Sequence, residues 1–282
     1  MAKITRRKTA DPAENPVAKT TTAELAEADD WAPKRLKNVT ISNSLARAAH
    51  GLTLVEKRVV SACIALIQTS HQEGYLESEI SAKDYAHHFK ISIDEAYKEL
   101  KRAGANLMKR QVSFFDFQRT GRKNERVFVQ SNWVQHVEYE KKKGYIKILW
   151  THYVGAHLKG LKGNFTTYKL QNATSLRSVY SWRMLELFES NKGKGWCEMT
   201  VDDFATMMEV PAKQRKNFGY IKRRIIDTAI KDMIAKDGWL AKCIPQKKGG
   251  RQWESVRFEF KRDPQGRLFD SQTTAANLPV LA

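Results

Sequence analysis

Six cations crowd one short stretch of the chain: Lys213, Arg215, Lys216, Lys222, Arg223 and Arg224, with Tyr220 among them and no acidic residue from 213 to 224. Such a run makes and breaks no covalent bonds. Its chemistry is anion binding: guanidinium groups offer a planar fork of donors that suits phosphate or guanine edges, and ammonium groups serve phosphate as point charges. A second basic group, Lys247, Lys248 and Arg251, flanks Gly249-Gly250. A backbone without side chains can approach a duplex closely there while its neighbours reach phosphates. A third set is weaker. Lys98 and Arg102 share their stretch with Glu95, and Arg119, Arg122, Lys123 and Arg126 share theirs with Glu125. That set reads either as a secondary backbone contact or as a protein–protein surface. Lys141-Lys142-Lys143 is either a source of nonspecific attraction or a solvated turn.

A cationic cluster by itself can be nothing more than a solvated helix face, so the elements that carry it decide its meaning. A twelve-residue phrase occurs twice, at 81–92 (Ser-Ala-Lys-Asp-Tyr-Ala-His-His-Phe-Lys-Ile-Ser) and again 119 residues later at 200–211 (Thr-Val-Asp-Asp-Phe-Ala-Thr-Met-Met-Glu-Val-Pro). That offset is too long for a solenoid unit and suits a whole small domain. In each copy a hydroxyl residue caps a short helix, with Asp84 or Asp203 at its third position, so these aspartates read as caps and not as metal ligands. A longer helix follows each copy. Its buried stripe is predicted as Ile93, Tyr97, Leu100, Gly104 and Leu107 in the first module, and as Phe218, Ile221, Ile225, Ala229 and Met233 in the second.

Two helices joined by a short turn form a helix-turn-helix, and the six cations enter its second helix in the second copy. At about 100° per residue, Lys216, Tyr220 and Arg223 face away from Ile225. Arg224 lies at an edge, and Lys222 falls near the stripe, from which it would snorkel to phosphate. Each long helix precedes two strand-like runs around a basic turn: Val112–Phe117 with Arg126–Val137, and Trp239–Ile244 with Ser255–Phe260. The order helix, helix, turn, helix, hairpin is that of a winged helix. The fold class is therefore α+β, with two tandem winged-helix domains at 38–163 and 164–264. A tail at 1–37, with Pro12, Pro16 and Pro33 and few large apolar residues, is read as disordered, and 265–282 as a second tail. A helix at 53–68 opens the first domain, with Thr53 and Glu56 as a capping box. A strand at Tyr145–Trp150 and a helical stretch at His152–Leu161 close it.

The bulk composition agrees. Across 282 residues, 49 Lys and Arg against 31 Asp and Glu leave a net charge of +18 and a pI near 9.8, which favours a polyanionic partner. Hydrophobic residues make up 41%, enough for two cores. No apolar stretch backs the basic N-terminus as a secretory signal would, and the longest apolar run, 59–67, is too short to span a bilayer. Cys63, Cys197 and Cys243 form neither a disulfide framework nor a zinc pattern, so a reducing cytoplasm is the expected location. No phosphate loop is present. His87 and His88 diverge on a helix, and His152 and His157 are five apart, so neither pair suits a metal. No nucleophile has a visible base. We expect no enzyme activity, cofactor or metal.

Several segments resemble the iteron-binding plasmid replication initiators, the Rep family. Ser42–Arg58 is similar to their opening segment, Phe165–Leu170 to the strand that begins their second domain, and Val179–Glu189 to the helix after it. Ile221-Lys-Arg-Arg-Ile225 is similar to the recognition-helix core, and 247–260 to the second wing. The resemblance spans about residues 40–262. It implies two winged-helix domains, monomers on directly repeated origin sites (iterons), and homodimers on an operator inverted repeat that represses the initiator's own gene. It also implies opening of an AT-rich duplex and recruitment of the host initiator DnaA and the replicative helicase. Base reading would fall to the second domain, with Lys222, Arg223 and Arg224 matching the motif, and dimerisation to the first. A winged-helix repressor without an initiation role uses the same contacts and remains open. A nicking rolling-circle initiator needs paired histidines and a catalytic tyrosine, which the chain does not display.

Overall fold

The fold is that of a computed structural model that describes residues 32–69, 75–116, 127–140, 144–247, 249–250 and 252–263. Strand β1 (Asn38–Ser42) leads through a short helix, α1 (Asn43–Ala46), to α2 (Leu54–Ala65). The capping box at α2 forms as its sequence predicts. Thr53 Oγ1 accepts from the Glu56 backbone N–H at 3.4 Å, and Glu56 Oε2 accepts from the Thr53 N–H at 2.9 Å. Arg110 then grips both oxygens of this buried carboxylate, at 2.9 Å each.

Next come β2 (Gln68–Thr69), β3 (Leu76–Ser81), α3 (Ala82–Phe89) and α4 (Ile93–Leu107). Ser81 caps α3 through the Asp84 N–H at 3.1 Å, and Asp84 in turn accepts from the Ser81 hydroxyl at 2.7 Å. Its other oxygen accepts from the Lys34 backbone N–H at 2.8 Å. So, within the stretch read as a tail, residues 34–37 are tied to the fold: Leu36 is buried, and Lys37 O accepts from Leu170 N. The α4 stripe differs from expectation. Ala96, Glu99, Leu100, Ala103 and Leu107 are buried, whereas Ile93 is 41% exposed. The contact surface is centred on small alanines that let the helix approach its neighbours closely, and Ile93 at the first turn overhangs them.

Strands β4 (Gln111–Asp116) and β5 (Val127–Asn132) form a two-stranded hairpin, while β6 (Val134–Glu140) and β7 (Tyr145–Trp150) join β2 and β3 in a four-stranded sheet of order β2-β3-β7-β6. The run read as one strand, 126–137, is therefore two strands in two sheets. The break is Trp133, whose side chain is buried and whose indole N–H donates to His50 O at 2.8 Å. Burying that ring turns the chain out of one ladder and into the next. The turn between β4 and β5 and the Lys141–Lys143 run lie outside the described residues.

Helix α5 (His152–Ala156) is shorter than its predicted stretch and precedes β8 (Phe165–Lys169), α6 (Leu170–Thr174) and α7 (Val179–Glu189). Strand β8 pairs antiparallel with β1 in full register. Then follow β9 (Trp196–Thr200), α8 (Val201–Met207) and a 3₁₀ turn at Ala212–Gln214. After Asn217 three helical segments follow one another without a break: α9 (Phe218–Tyr220), a π-helical stretch (Ile221–Ile226) and α10 (Asp227–Asp237). Strands β10 (Trp239–Gln246) and β11 (Ser255–Arg262) complete a three-stranded sheet of order β10-β11-β9. Thr200 caps α8 through the Asp203 N–H at 3.0 Å, as its phrase predicts.

One contiguous core runs from Leu36 to Phe260. Trp133, Trp150, Trp182 and Trp239 are fully buried, and each indole N–H finds an acceptor, as buried tryptophans require. A buried polar cluster links α2 to α7. Lys57 Nζ lies 2.7 Å from Glu186 Oε1, both side chains being almost wholly buried. Tyr168 donates its hydroxyl to the same carboxylate at 2.9 Å. His50 Nε2–H donates to Leu45 O at 2.8 Å, which leaves Nδ1 to accept from Lys57 at 3.2 Å. That arrangement needs a neutral ring, and burial, followed by the charge of Lys57, holds the His50 pKa well below its usual value. One turn earlier on α7, Arg183 donates to Met207 O at the end of α8 and to Glu209. Glu209 takes a left-handed backbone conformation (φ 52°), and its second oxygen accepts from the Gly51 N–H at 2.8 Å. The turn of the second helix-turn-helix is thus tied to the segment before α2.

Candidate nucleic-acid interface

Asn217 fixes where the second module's long helix begins: its side chain accepts from the Tyr220 N–H at 3.0 Å, satisfying a donor that a helix start leaves free. Ile221, Ile225, Ile226, Ala229, Ile230 and Met233 turn inward. The stripe expected from sequence gains Ile226 and Ile230, and Phe218 is only half-buried. On the opposite side Arg223 and Arg224 are exposed, and Lys213 and Lys216 are exposed in the turn before the helix. Tyr220 is half-buried at the edge. Arg215 is exposed but anchored, its Nε donating to Val210 O at 3.2 Å and its Nη1 to Thr206 Oγ1 at 3.5 Å. That guanidinium braces the turn against α8 while keeping donors toward solvent.

Lys222 is half-buried, as its place near the stripe predicts, but its ammonium lies 2.9 Å from both carboxylate oxygens of Asp227. Positions five apart on a regular α-helix point about 140° away from each other. The π-helical stretch removes that obstacle. Its i→i+5 pattern, with the Asp227 N–H donating to Lys222 O, stacks the two residues. Thr228 Oγ1 uses the same spacing to donate to Arg223 O at 3.1 Å. The cationic face therefore presents Arg223 and Arg224 outward while Lys222 is shared with an acid. The sequence carried Asp227 in plain view, but α-helical spacing separates it from Lys222.

The wing belongs to the same surface. Strands β10 and β11 pair over their whole length, from Trp239 with Arg262 to Gln246 with Ser255, and α10 packs on β10. Lys247 is exposed at the start of the wing loop. Gly249 has a positive φ of 75° and open space around it, as a loop meant to approach another surface allows. Trp253, which sequence reasoning passed over, packs with its ring tilted at 5.4 Å from that of Phe218, the first residue of α9, and carries the Lys247 ammonium 4.5 Å from its ring centroid. Lys248 and Arg251 lie outside the described residues. So do Arg122 and Lys123 of the first wing. Lys98 and Arg102 are exposed on α4, on a different helix from the main cationic face. Among the described residues no group of three or more His, Cys, Asp or Glu could hold a metal ion, and no helix is long and apolar enough to cross a membrane.

A helix-turn-helix whose second helix is cationic toward solvent, with a β-hairpin packed beside it, defines a winged-helix DNA-binding protein; the first module repeats the scaffold with a second helix of mixed charge. Family comparison gives the particular kind. Residues 38–189 match the WH1 model of the initiator replication proteins, and residues 200–260 match the WH2 model of the same proteins. The chain belongs to this initiator replication protein family and is a DNA-binding replication initiator. Among curated proteins it is 28% identical over 221 residues to an uncharacterized 27.6 kDa protein of Escherichia coli, covering 74% of this chain and 89% of that one. It is 23% identical over 232 residues to a replication initiation protein of the same organism, covering 79% and 69%. Its fold is similar to that of the Pi initiator protein, solved in complex with iteron DNA, with a TM-score of 0.64 at 21% identity over 82% of this chain and 99% of the other.

Proposed function

We propose that this protein binds directly repeated origin sites as a monomer to start plasmid replication, and binds an inverted repeat as a dimer to repress its own promoter. The observation that carries the reading is the exposed cationic face formed by Lys213, Lys216, Arg223 and Arg224 at the start of a recognition helix. Base reading is assigned to the second module, residues 164–264, with Arg223 central and Tyr220 beside it. Lys213, Arg215, Lys216, Arg224 and Lys247 serve phosphate, with Lys248 and Arg251 completing the second wing, while Lys222 stays paired with Asp227 at the edge of the face. Dimerisation is assigned to the first module, residues 38–163, with Lys98, Arg102, Arg122 and Lys123 as secondary backbone contacts. Family membership supports repeated sites, as does the Pi initiator's capture on iteron DNA. Recruitment of DnaA and helicase, a non-enzymatic mode of action and a cytoplasmic, plasmid-bound location belong to the same proposal.

Selection of bound sequences from random duplex DNA tests it. Direct repeats located beside an origin are expected; recovery of a promoter palindrome alone would make the protein a repressor without an initiation role. Arg223→Ala is expected to cost about 1–3 kcal/mol on the selected site and to relax discrimination at the base it reads. An unchanged gel-shift titration would remove Arg223 from the reading surface. In sedimentation, one chain per direct repeat and two per inverted repeat are expected. Two chains on a single direct repeat would contradict the division between monomer and dimer.

A further inference from the structure

Trp253 stands in the wing loop, 38% exposed, where a large aromatic gains little from burial. Its ring nevertheless makes two contacts. Phe218 packs against it at 5.4 Å with the rings tilted by 40°, and the Lys247 ammonium sits 4.5 Å from the ring centroid. Phe218 opens the reading helix, next to the Asn217 cap, and Lys247 opens the wing loop where the β10–β11 ladder ends at Gln246 and Ser255. Around the loop's Gly249 no atom of the described residues beyond its chain neighbours lies within 4 Å of where a Cβ would be. The Trp253 ring therefore joins the wing loop to the first residue of the reading helix. A cation held over an aromatic face is restrained without being neutralised, unlike Lys222, whose charge Asp227 cancels. Lys247 is thus placed, at full charge, at a set distance from the start of the reading helix.

We propose that Trp253 is a positioning residue for DNA binding: it fixes the wing and its Lys247 relative to the reading helix, so that groove and flanking phosphate are engaged together. The proposal rests on the DNA-reading surface assigned above. A bland alternative is a surface aromatic that only adds stability to the loop.

The salt dependence of binding separates the two, because each phosphate contact adds close to one unit to the slope of log K against log salt. The full chain is titrated with a fluorescein-labelled duplex bearing the selected site. Lys247→Ala should lower the slope by about one unit. Trp253→Ala should lower it by at least as much, and Lys247→Ala should add nothing further in the Trp253→Ala background. Trp253→Phe keeps a ring face and should keep the wild-type slope. If Trp253→Ala does not fold, Trp253→Leu, which has apolar bulk but no ring face, carries the same expectation. If Lys247→Ala lowers the slope while the Trp253 variants change only the melting temperature, or if the two effects add, the positioning role is overturned and the DNA-reading surface stands. If Arg223→Ala and Lys247→Ala both leave binding unchanged, the assigned surface itself is wrong and the proposal falls with it.

Discussion

Glu186→Ala should lower the unfolding free energy by about 3–5 kcal/mol, a loss visible as a large fall in the urea midpoint. Glu186 is fully buried and is the counter-charge to Lys57, 2.7 Å away, which is itself only 2% exposed. Burial already lowers the Lys57 pKa, with Glu186 opposing that shift. Removing the carboxylate leaves an ammonium in a low-dielectric site with His50 as its remaining close partner, and strips the acceptor from Tyr168. Lys57 can shed its proton, which caps the cost. The double replacement Lys57→Met with Glu186→Leu removes both charges and should recover much of the loss, since apolar residues of similar volume commonly match a buried pair. A single-variant loss below about 1 kcal/mol, the range of an exposed ion pair, would show that water reaches this site.

The second large effect is on affinity. Lys213, Arg215, Lys216, Arg223, Arg224 and Lys247 are exposed on or beside the reading helix and wing. If each except the base-reading Arg223 meets one phosphate, log K should fall with log salt at a slope near −4.5, and affinity should drop about 500-fold between 50 and 200 mM salt. Lys222 is left out of this count because Asp227 holds it. Competition experiments at several salt concentrations would measure the slope, and a flat plot would contradict phosphate binding by this face. Specificity should survive better than affinity, since base-edge contacts release few counterions.

Local chemistry was legible in the residues. Thr53 with Glu56, Ser81 with Asp84 and Thr200 with Asp203 are three positions apart, and a helix start brings such a pair together whatever the rest of the chain does. Strand Tyr145–Trp150 and the hairpin of the second wing followed from alternation and glycine. The stripe on α4 was harder to read because alanines carry a weak hydrophobic signal, so Ile93 was given a burial it does not have. The split at Trp133 was hidden for a related reason: both sides of it alternate as strands, and only the His50 carbonyl that receives its indole explains the turn.

The sequence by itself determined that the chain binds a polyanion and does so with a duplicated helix-turn-helix and wing, because charge, capping and periodicity are set by residues within a few positions of one another. The tertiary structure alone decided how those parts are joined. Lys57 meets Glu186 across 129 positions and Gly51 meets Glu209 across 158. Trp253 reaches Phe218 only when the wing folds back, and Lys222 reaches Asp227 only through a π-helical turn. Such contacts depend on which surfaces packing brings face to face, and a burial-dependent charge or ring contact leaves no spacing rule in the chain to announce it.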